Sequence, residues 1–210
     1  MKKQIYVIHG YGASPDKHWF PWLKRILGNK GYEIEILKMP TPETPKVNEW
    51  IATLKKDIEI INENTYFVAH SLGNITLLRY LSEYENLDEI GGFIMVSVFD
   101  RPIKGFEELH PFVETSLDYK KISEKCKLKV IIAAKDDYLV PFEFSKEISE
   151  KLDAEFYLIE NAGHFLDRDG ITELPGEAPS DQRWKVSKTR WPRVTRYTST
   201  TDPKIGRAHV

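Results

Sequence analysis

Short apolar segments with two different periods alternate along the first three quarters of the chain. Runs rich in strand-forming residues predict strands over residues 4–8, 33–37, 66–69, 92–98, 130–134 and 155–159. Between them, apolar residues recur every three or four positions and predict helices over residues 19–27, 47–61, 72–81, 117–126 and 142–152. Short connections join the alternating elements. This order predicts an α/β fold with a doubly wound, mostly parallel six-stranded sheet and helices on both faces.

Ligands of such sheets bind at the carboxyl ends of the strands, so residues that directly follow a strand are the first candidates for a site. Ala69-His70-Ser71-Leu72-Gly73 follows the third predicted strand and leads at once into a helix. A serine on this sharp turn is typical of a nucleophile elbow, which exposes the hydroxyl and needs small flanking residues. Ala69 stands where a glycine is more common. The pattern predicts that Ser71 is a nucleophile.

A serine hydroxyl needs a base to take its proton and a carboxylate to orient that base. His164 follows the last predicted strand in a glycine-containing loop, so we expect it to be the base. Asp136 and Asp137 both follow the fifth strand, and we favour Asp137 as the orienting acid. The chain order of serine, acid and histidine is the one found in hydrolases built on a doubly wound sheet.

The negative oxygen formed by such an attack needs N–H donors. We expect these to be the backbone amides of Leu72, at the helix N-terminus, and Tyr11, in the glycine-rich turn after the first strand. The same turn does not fit a dinucleotide-binding loop, because it lacks the third small position and Pro15 stands where a helix would begin. We find no P-loop and no metal-ligand spacing, and therefore expect no cofactor and no metal.

Composition limits the classes that remain. The chain has 210 residues with 41% hydrophobic content, which fits one domain. No apolar run is long enough for a membrane span and no secretory signal precedes the first strand, so we expect a cytoplasmic protein. Cys126 is the single cysteine. Residues 1–175 hold 22 Lys/Arg and 29 Asp/Glu, an acidic balance that argues against nucleic acid as a partner.

The motifs together resemble a known family, the small YdeN-like and retinoblastoma-binding serine hydrolases of the α/β-hydrolase superfamily. The resemblance covers about residues 1–175 and rests on Ile8-His9-Gly10-Tyr11, His18-Trp19-Phe20-Pro21-Trp22-Leu23-Lys24, Asn64-Thr65-Tyr66, Val68-Ala69-His70-Ser71-Leu72-Gly73, Lys135-Asp136-Asp137, Val140-Pro141-Phe142 and Gly163-His164-Phe165-Leu166. It implies an α/β-hydrolase fold without a large lid, with Ser71, Asp137 and His164 as nucleophile, acid and base. Ester hydrolysis is the activity it leads us to expect.

The substrate pocket is less well marked. Trp19 and Phe99 are our candidates for its apolar edge, and residues 99–118 are the one sizeable insertion. A shallow, apolar site favours small esters, so a carboxylesterase acting on a small-molecule substrate is the leading interpretation. An amidase or peptidase with the same three residues is an alternative. A protein-binding module that kept the fold without catalysis is a second alternative. The sequence does not identify a protein partner, so any such partner is unknown.

The last part of the chain departs from the family pattern. Residues 176–210 hold eight Lys/Arg and three Asp/Glu, and only nine of these residues are apolar, without periodicity. We expect this basic tail to be disordered, or to come from a sequencing chimaera that replaces the final helix of the family. The predicted domain is therefore 1–175.

Overall fold

The structure of the protein is a computed structural model that describes residues 2–174 and 194–197. One mixed sheet runs through it in the order β2-β1-β3-β4-β5-β6-β7, and every neighbouring pair except β6 and β7 is parallel. The strands are β1 (Gln4–Ile8), β2 (Glu33–Leu37), β3 (Thr65–His70), β4 (Ile90–Val96), β5 (Cys126–Ala134), β6 (Glu155–Ile159) and β7 (Val194–Tyr197). The predicted doubly wound, mostly parallel sheet is confirmed, with seven strands in place of six.

Helices cover both faces of this sheet, as predicted. They are α1 (Phe20–Gly28), α2 (Val47–Asp57), α3 (Leu72–Glu83), α4 (His110–Val113), α5 (Tyr119–Lys125) and α6 (Phe142–Leu152). Helix α1 packs on one face together with buried residues of the segment 162–174, and its core includes Ile5 and Val7 of β1. The other helices bury their apolar side chains on the opposite face, where Tyr6 and Ile8 point. Alternate residues of β1 thus serve two cores, as the two-residue period of a strand requires.

Two predicted boundaries were wrong by four residues, the end of the second helix, predicted at residue 61, and the start of the fifth strand, predicted at residue 130. Helix α2 ends at Asp57, and Ile58 is already extended. The chain then turns, with the Asn62 side chain accepting from Asn64 N–H and the Thr65 hydroxyl donating to the Ile60 carbonyl. These local hydrogen bonds compete with helical ones, although the apolar spacing continues to residue 61. Cys126, placed by the sequence at a helix end, is the first residue of β5.

The seventh strand comes from the basic tail, where we expected no order. Val194–Tyr197 pairs antiparallel with β6, and Arg196 makes an ion pair with Glu155 at 2.8 Å. The Tyr197 ring lies 5.7 Å from that of Phe156. The partners are all on or beside β6, so a tail without periodicity of its own gains pairing from a strand edge. The rest of residues 176–210, for which we expected disorder or a sequencing chimaera, lies outside the described residues, and the domain boundary stays a prediction.

The strand order predicts the position of the site, because the direction in which successive strands are added to the sheet reverses at β1. From β1 the chain moves to β2 on one side and then returns to β3 on the other. Open parallel sheets bind ligands outside the carboxyl ends of their strands at such a reversal, which here is the end of β1 and β3. The turn that begins at His9 and the residue Ser71 directly follow these two strands.

Gly92, in the middle of β4, generates a prediction about stability. Its φ is +146°, and a Cβ there would lie 2.1 Å from the Leu128 carbonyl oxygen of the neighbouring strand. We expect Gly92→Ala to lower the free energy of unfolding by at least about 2 kcal/mol, because the strand must move away or strain its backbone. Urea unfolding followed by circular dichroism measures the change.

Gly28→Ala is the matched control, because a Cβ at the last residue of α1 has no atom within 4 Å. Its free energy of unfolding should stay level or rise by up to about 1 kcal/mol. Similar urea midpoints for the two alanine variants would contradict the close approach of β4 and β5 described above.

Candidate active site

Ser71 lies between the end of β3 and the start of α3 in a backbone conformation that few side chains adopt. Its φ is 50° and its ψ is −119°, and the residue is largely buried. The Ser71 N–H donates to the Val96 carbonyl oxygen at 3.0 Å, which holds the turn against the end of β4. A non-glycine residue at this φ and ψ is strained, and such strain persists only where the surroundings enforce it.

Two glycines allow the backbone to approach this turn. A Cβ on Gly73 would lie 2.4 Å from the carbonyl oxygen of Ile8, so α3 could not begin so near β1 with any larger residue. On the other side, a Cβ on Gly10 would lie 3.0 Å from the Cβ of Ser71. Glycine at both positions brings the turn after β1 against the serine, which explains the small residues of the motif.

The structure brings together the three side chains that the sequence predicts as nucleophile, base and acid. Ser71 Oγ lies 2.9 Å from His164 Nε2. The other ring nitrogen of His164, Nδ1, lies 2.9 and 3.0 Å from the two carboxylate oxygens of Asp137. The His164 and Asp137 side chains are almost completely buried. With Nδ1–H donating to the carboxylate, Nε2 is left as the acceptor for the serine proton.

Asp137 is held by three further donors. One carboxylate oxygen accepts the backbone N–H groups of Leu139 and Val140, both at 2.9 Å. The other accepts the hydroxyl of Ser97 at 2.7 Å. Together with the imidazole, these three donors fix the orientation of the Asp137 carboxylate. The loop residues after β5 thus form a cradle for the acid, and Ser97 closes it from β4.

Ser97 is a site residue that the sequence did not identify. It directly follows β4, is completely buried and has a φ of 52°. The predicted fourth strand extends to residue 98 and so includes Ser97, whereas β4 ends at Val96, so the rule that led to Ser71, Asp137 and His164 did not select it. A serine after an apolar run is too common a feature to single out without the contact to Asp137.

Two other acids hold the loop that carries His164. Asp136, our second choice for the orienting acid, accepts the backbone N–H groups of Ala162 and Gly163 at 2.9 and 3.0 Å. Asp169 accepts the N–H of His164 itself at 3.0 Å and that of Leu166 at 3.2 Å. The backbone on both sides of the histidine is therefore hydrogen-bonded to carboxylates. Each acid acts on the loop, and neither makes a hydrogen bond or ion pair with the imidazole ring.

His70 contacts the same loop from the elbow. Its Nε2 lies 2.9 Å from the carbonyl oxygen of His164, so that nitrogen carries a proton and donates it. Burial, followed by the neighbouring rings of His164 and His18, lowers the pKa of His70 well below its ordinary value. A neutral imidazole has one donor, and among the described residues Nδ1 has no hydrogen-bond partner. The residue before the serine thus links β3 to the backbone of the histidine.

The two backbone amides expected to bind the negative oxygen belong to segments next to Ser71. Leu72 is the first residue of α3, where helical N–H groups have no intrahelical acceptor. Tyr11 follows Gly10, whose approach to Ser71 is described above, and it lines the same cavity as Ser71. Within residues 2–174, no backbone hydrogen bond of a turn, loop or cap uses either N–H as a donor. Both amides are therefore open to a ligand next to the serine.

A cavity of about 370 Å³ opens beside Ser71 and His164. Phe99, one of our two candidates for the pocket, lines it together with Phe106. Trp19, the other candidate, does not line it, and this prediction was wrong. The Trp19 side chain is completely buried in the core on the α1 face, where its ring packs against those of Phe20 and His70. It supports the cavity from behind through His70.

The elements of this site define a class. A mostly parallel sheet in this order, with a strand–serine–helix elbow and a serine, acid and histidine after three different strands, is the α/β-hydrolase fold. Residues 5–179 match the family model described as serine hydrolase. The chain belongs to this serine hydrolase family. In the described residues, no helix has the length and apolar content needed to cross a membrane.

Individual relatives agree with this assignment. The chain is 44% identical over 175 residues to the hydrolase YdeN of Bacillus subtilis (strain 168). The aligned region covers 83% of this chain and 92% of YdeN. The crystal structure of the B. subtilis ydeN gene product matches with a TM-score of 0.80, covering 83% of this chain and 94% of the other. Serine hydrolase RBBP9 of Rattus norvegicus is 23% identical over 159 residues, 75% of this chain and 83% of its own length.

The strained backbone of Ser71 generates a second stability prediction. We expect Ser71→Gly to unfold with a higher free energy than Ser71→Ala, because both lack the hydroxyl and only alanine keeps a Cβ at this positive φ. Strain of this kind costs about 1 to 3 kcal/mol. Glycine lowers the free energy of unfolding by about 0.4 to 1 kcal/mol relative to alanine, because its unfolded chain has more conformational entropy. The glycine variant should therefore be more stable by about 1 kcal/mol in urea unfolding. A glycine variant less stable than the alanine variant would refute this.

Proposed function

We propose that the protein is a carboxylesterase that hydrolyses small esters through an acyl-enzyme formed on Ser71. The observation that carries the proposal is the continuous hydrogen-bond chain from Asp137 through His164 to Ser71 Oγ, with distances of 2.9 Å at both histidine nitrogens. A nucleophile, its base and the group that orients the base are in hydrogen-bond reach of one another, which is the geometry that activates a serine.

Each residue has a defined role in the proposed reaction. Ser71 Oγ attacks the ester carbonyl while His164 Nε2 accepts its proton, and Asp137 stabilises the imidazolium that results. The N–H groups of Leu72 and Tyr11 bind the negative oxygen of the tetrahedral intermediate. His164 then donates the proton to the departing alcohol. Water, deprotonated by the same nitrogen, attacks the acyl-enzyme and releases the acid, and the proton returns to Ser71.

The cavity supports a small substrate. Its volume of about 370 Å³ lies at the lower end of the range for small-molecule sites. The insertion that supplies one wall is fixed by Asp100, which accepts from Tyr119 Oη at 2.8 Å and from Lys151 Nζ at 2.5 Å. Burial acts to raise the pKa of Asp100, but hydrogen bonds from Lys151, Tyr119 and Arg101 outweigh it and lower the pKa. The wall is thus anchored to α5 and α6 by an ionised carboxylate.

Labelling with a fluorophosphonate probe tests the activated serine. The folded wild-type protein should be labelled at Ser71, and Ser71→Ala should lose all labelling, because among the described residues no other serine hydroxyl is hydrogen-bonded to a histidine ring. Hydrolysis of a 4-nitrophenyl ester series should then favour short acyl chains. Absence of labelling in a protein with a cooperative unfolding transition would refute the esterase proposal. Faster turnover of an amide series than of the ester series would replace the proposed esterase activity with an amidase activity.

Asp137 and Asp136 provide a matched pair for the acid. Asp137→Asn should lower kcat/KM for an ester by about three to four orders of magnitude, because an amide in this position holds the imidazole in the wrong tautomer. In Asp136→Asn the side-chain oxygen still accepts the two N–H groups of the His164 loop, so we expect a loss of less than about tenfold. Steady-state kinetics of both variants decide between them. Comparable decreases in kcat/KM in the two variants would contradict the assignment of Asp137 as the orienting acid.

A further inference from the structure

The cavity beside Ser71 has two chemically different sides. Residues of the insertion and of the loop after β5 form an apolar side, which consists of Phe99, Ile103, Phe106, Leu109, Leu139 and Val140. The loop before α1 and the loop after β6 form the other side, where Lys17, His18, Asp167 and Arg168 line the cavity. The Asp167 N–H donates to His18 Nδ1 at 3.2 Å and so joins the two loops. An ester placed on Ser71 therefore meets two different environments.

The chemistry of the reaction determines which half of an ester faces which side. His164 must donate a proton to the departing alcohol, so the alcohol half lies toward His164 and the loop that follows it. That loop carries Arg168. The acyl half lies toward the opposite side, where the ring of Tyr11 contacts that of Phe106 edge to face, with centroids 5.6 Å apart. The apolar side is thus the acyl side, and the basic side receives the alcohol.

The two cations of the alcohol side are available to a ligand. Both side chains are exposed, and among the described residues no carboxylate lies within 4.0 Å of the charged nitrogens of Lys17 or Arg168. Arg168 is positioned by Tyr138, since its Nε donates to the Tyr138 hydroxyl at 3.2 Å and its guanidinium lies over the ring. This arrangement orients the group while leaving its terminal nitrogens open, and guanidinium nitrogens bind carboxylates and phosphates well.

Among the residues that line this side of the cavity, cations outnumber anions, while the nearby Asp169 carboxylate is engaged by the His164 and Leu166 N–H groups and the Tyr138 hydroxyl. Burial lowers the pKa of His18, although Asp167 acts to raise it, so the ring is neutral near pH 7. The carboxylate of Asp167 lies 3.3 Å from His18 Nδ1 and is the one acid among the residues that line the cavity. Two cations and one anion give a positive balance at the mouth, in a chain whose first 175 residues are acidic overall. An anionic substrate would be attracted here and repelled elsewhere.

We propose, building on the esterase function above, that the preferred substrates are esters with a small apolar acyl group and an anionic alcohol half. Lys17 and Arg168 bind the carboxylate or phosphate of the alcohol, while the apolar side of the cavity holds the acyl group. The pair acts as a specificity determinant and takes no part in proton transfer.

Two phenyl acetates of equal size provide the test, because 4-acetoxybenzoate carries a charge on the alcohol half and 4-acetoxybenzamide is neutral. The ratio of their kcat/KM values should favour the benzoate by about three- to tenfold, as expected for two exposed charge pairs. The ratio should fall toward one in the double variant Lys17→Gln/Arg168→Gln and at high salt. The double variant Lys24→Gln/Arg25→Gln removes the same two charges from α1, outside the cavity, and should keep the wild-type ratio.

Slow turnover does not prevent the test, because 4-hydroxybenzoate should then slow fluorophosphonate labelling of Ser71 more than 4-hydroxybenzamide does. A wild-type ratio near one would overturn the anionic substrate class while leaving the esterase function intact. An equal fall of the kcat/KM ratio in the two double variants would also overturn the anionic substrate class, because it would indicate a general effect of protein charge. Absence of Ser71 labelling in the folded wild-type protein would instead remove the esterase function on which the proposal rests.

Discussion

The close approach of the turn after β1 to the elbow after β3 is the constraint on which the site depends. Gly73 begins α3 against the Ile8 carbonyl, and Gly10 faces the Cβ of Ser71. This contact brings the turn that carries Tyr11 next to Ser71, which has a positive φ and directly precedes Leu72 at the start of α3. The two buried cores on the faces of the sheet supply the free energy that maintains such a backbone. Strain at one residue is thus supported by the packing of the whole domain.

Three acids close together in the sequence or in space have three separate functions. Asp137 accepts from the imidazole, Asp136 accepts from the backbone before His164, and Asp169 accepts from the backbone at and after it. Together with the Nε2–H of His70, they fix the histidine loop from β3, from the loop after β5 and from within the loop itself. The imidazole therefore needs no local secondary structure, because its backbone is held by side chains from elsewhere in the fold.

The parts that the sequence predicted correctly are those with a local signal. The strands and helices follow from the period of their apolar residues, and Ser71, Asp137 and His164 were candidates because each follows a strand. Trp19 was assigned to the pocket from its aromatic character, whereas its position before α1 directs the ring into the core. Ser97 and β7 have no local signal at all. Ser97 depends on a contact forty residues away, and the strand depends on the open edge of β6.

The anchoring of the insertion by Asp100 separates two properties of the molecule. This carboxylate is bonded to Tyr119, Arg101 and Lys151, and in the described part of the chain no hydrogen bond or ion pair joins these three residues to Ser71, His164 or Asp137. Changes in residues 102–117 can therefore reshape the apolar side of the cavity, while Ser71, Asp137 and His164 keep their positions. A family built in this way can diversify its substrates by drift in one segment, with little risk to its chemistry.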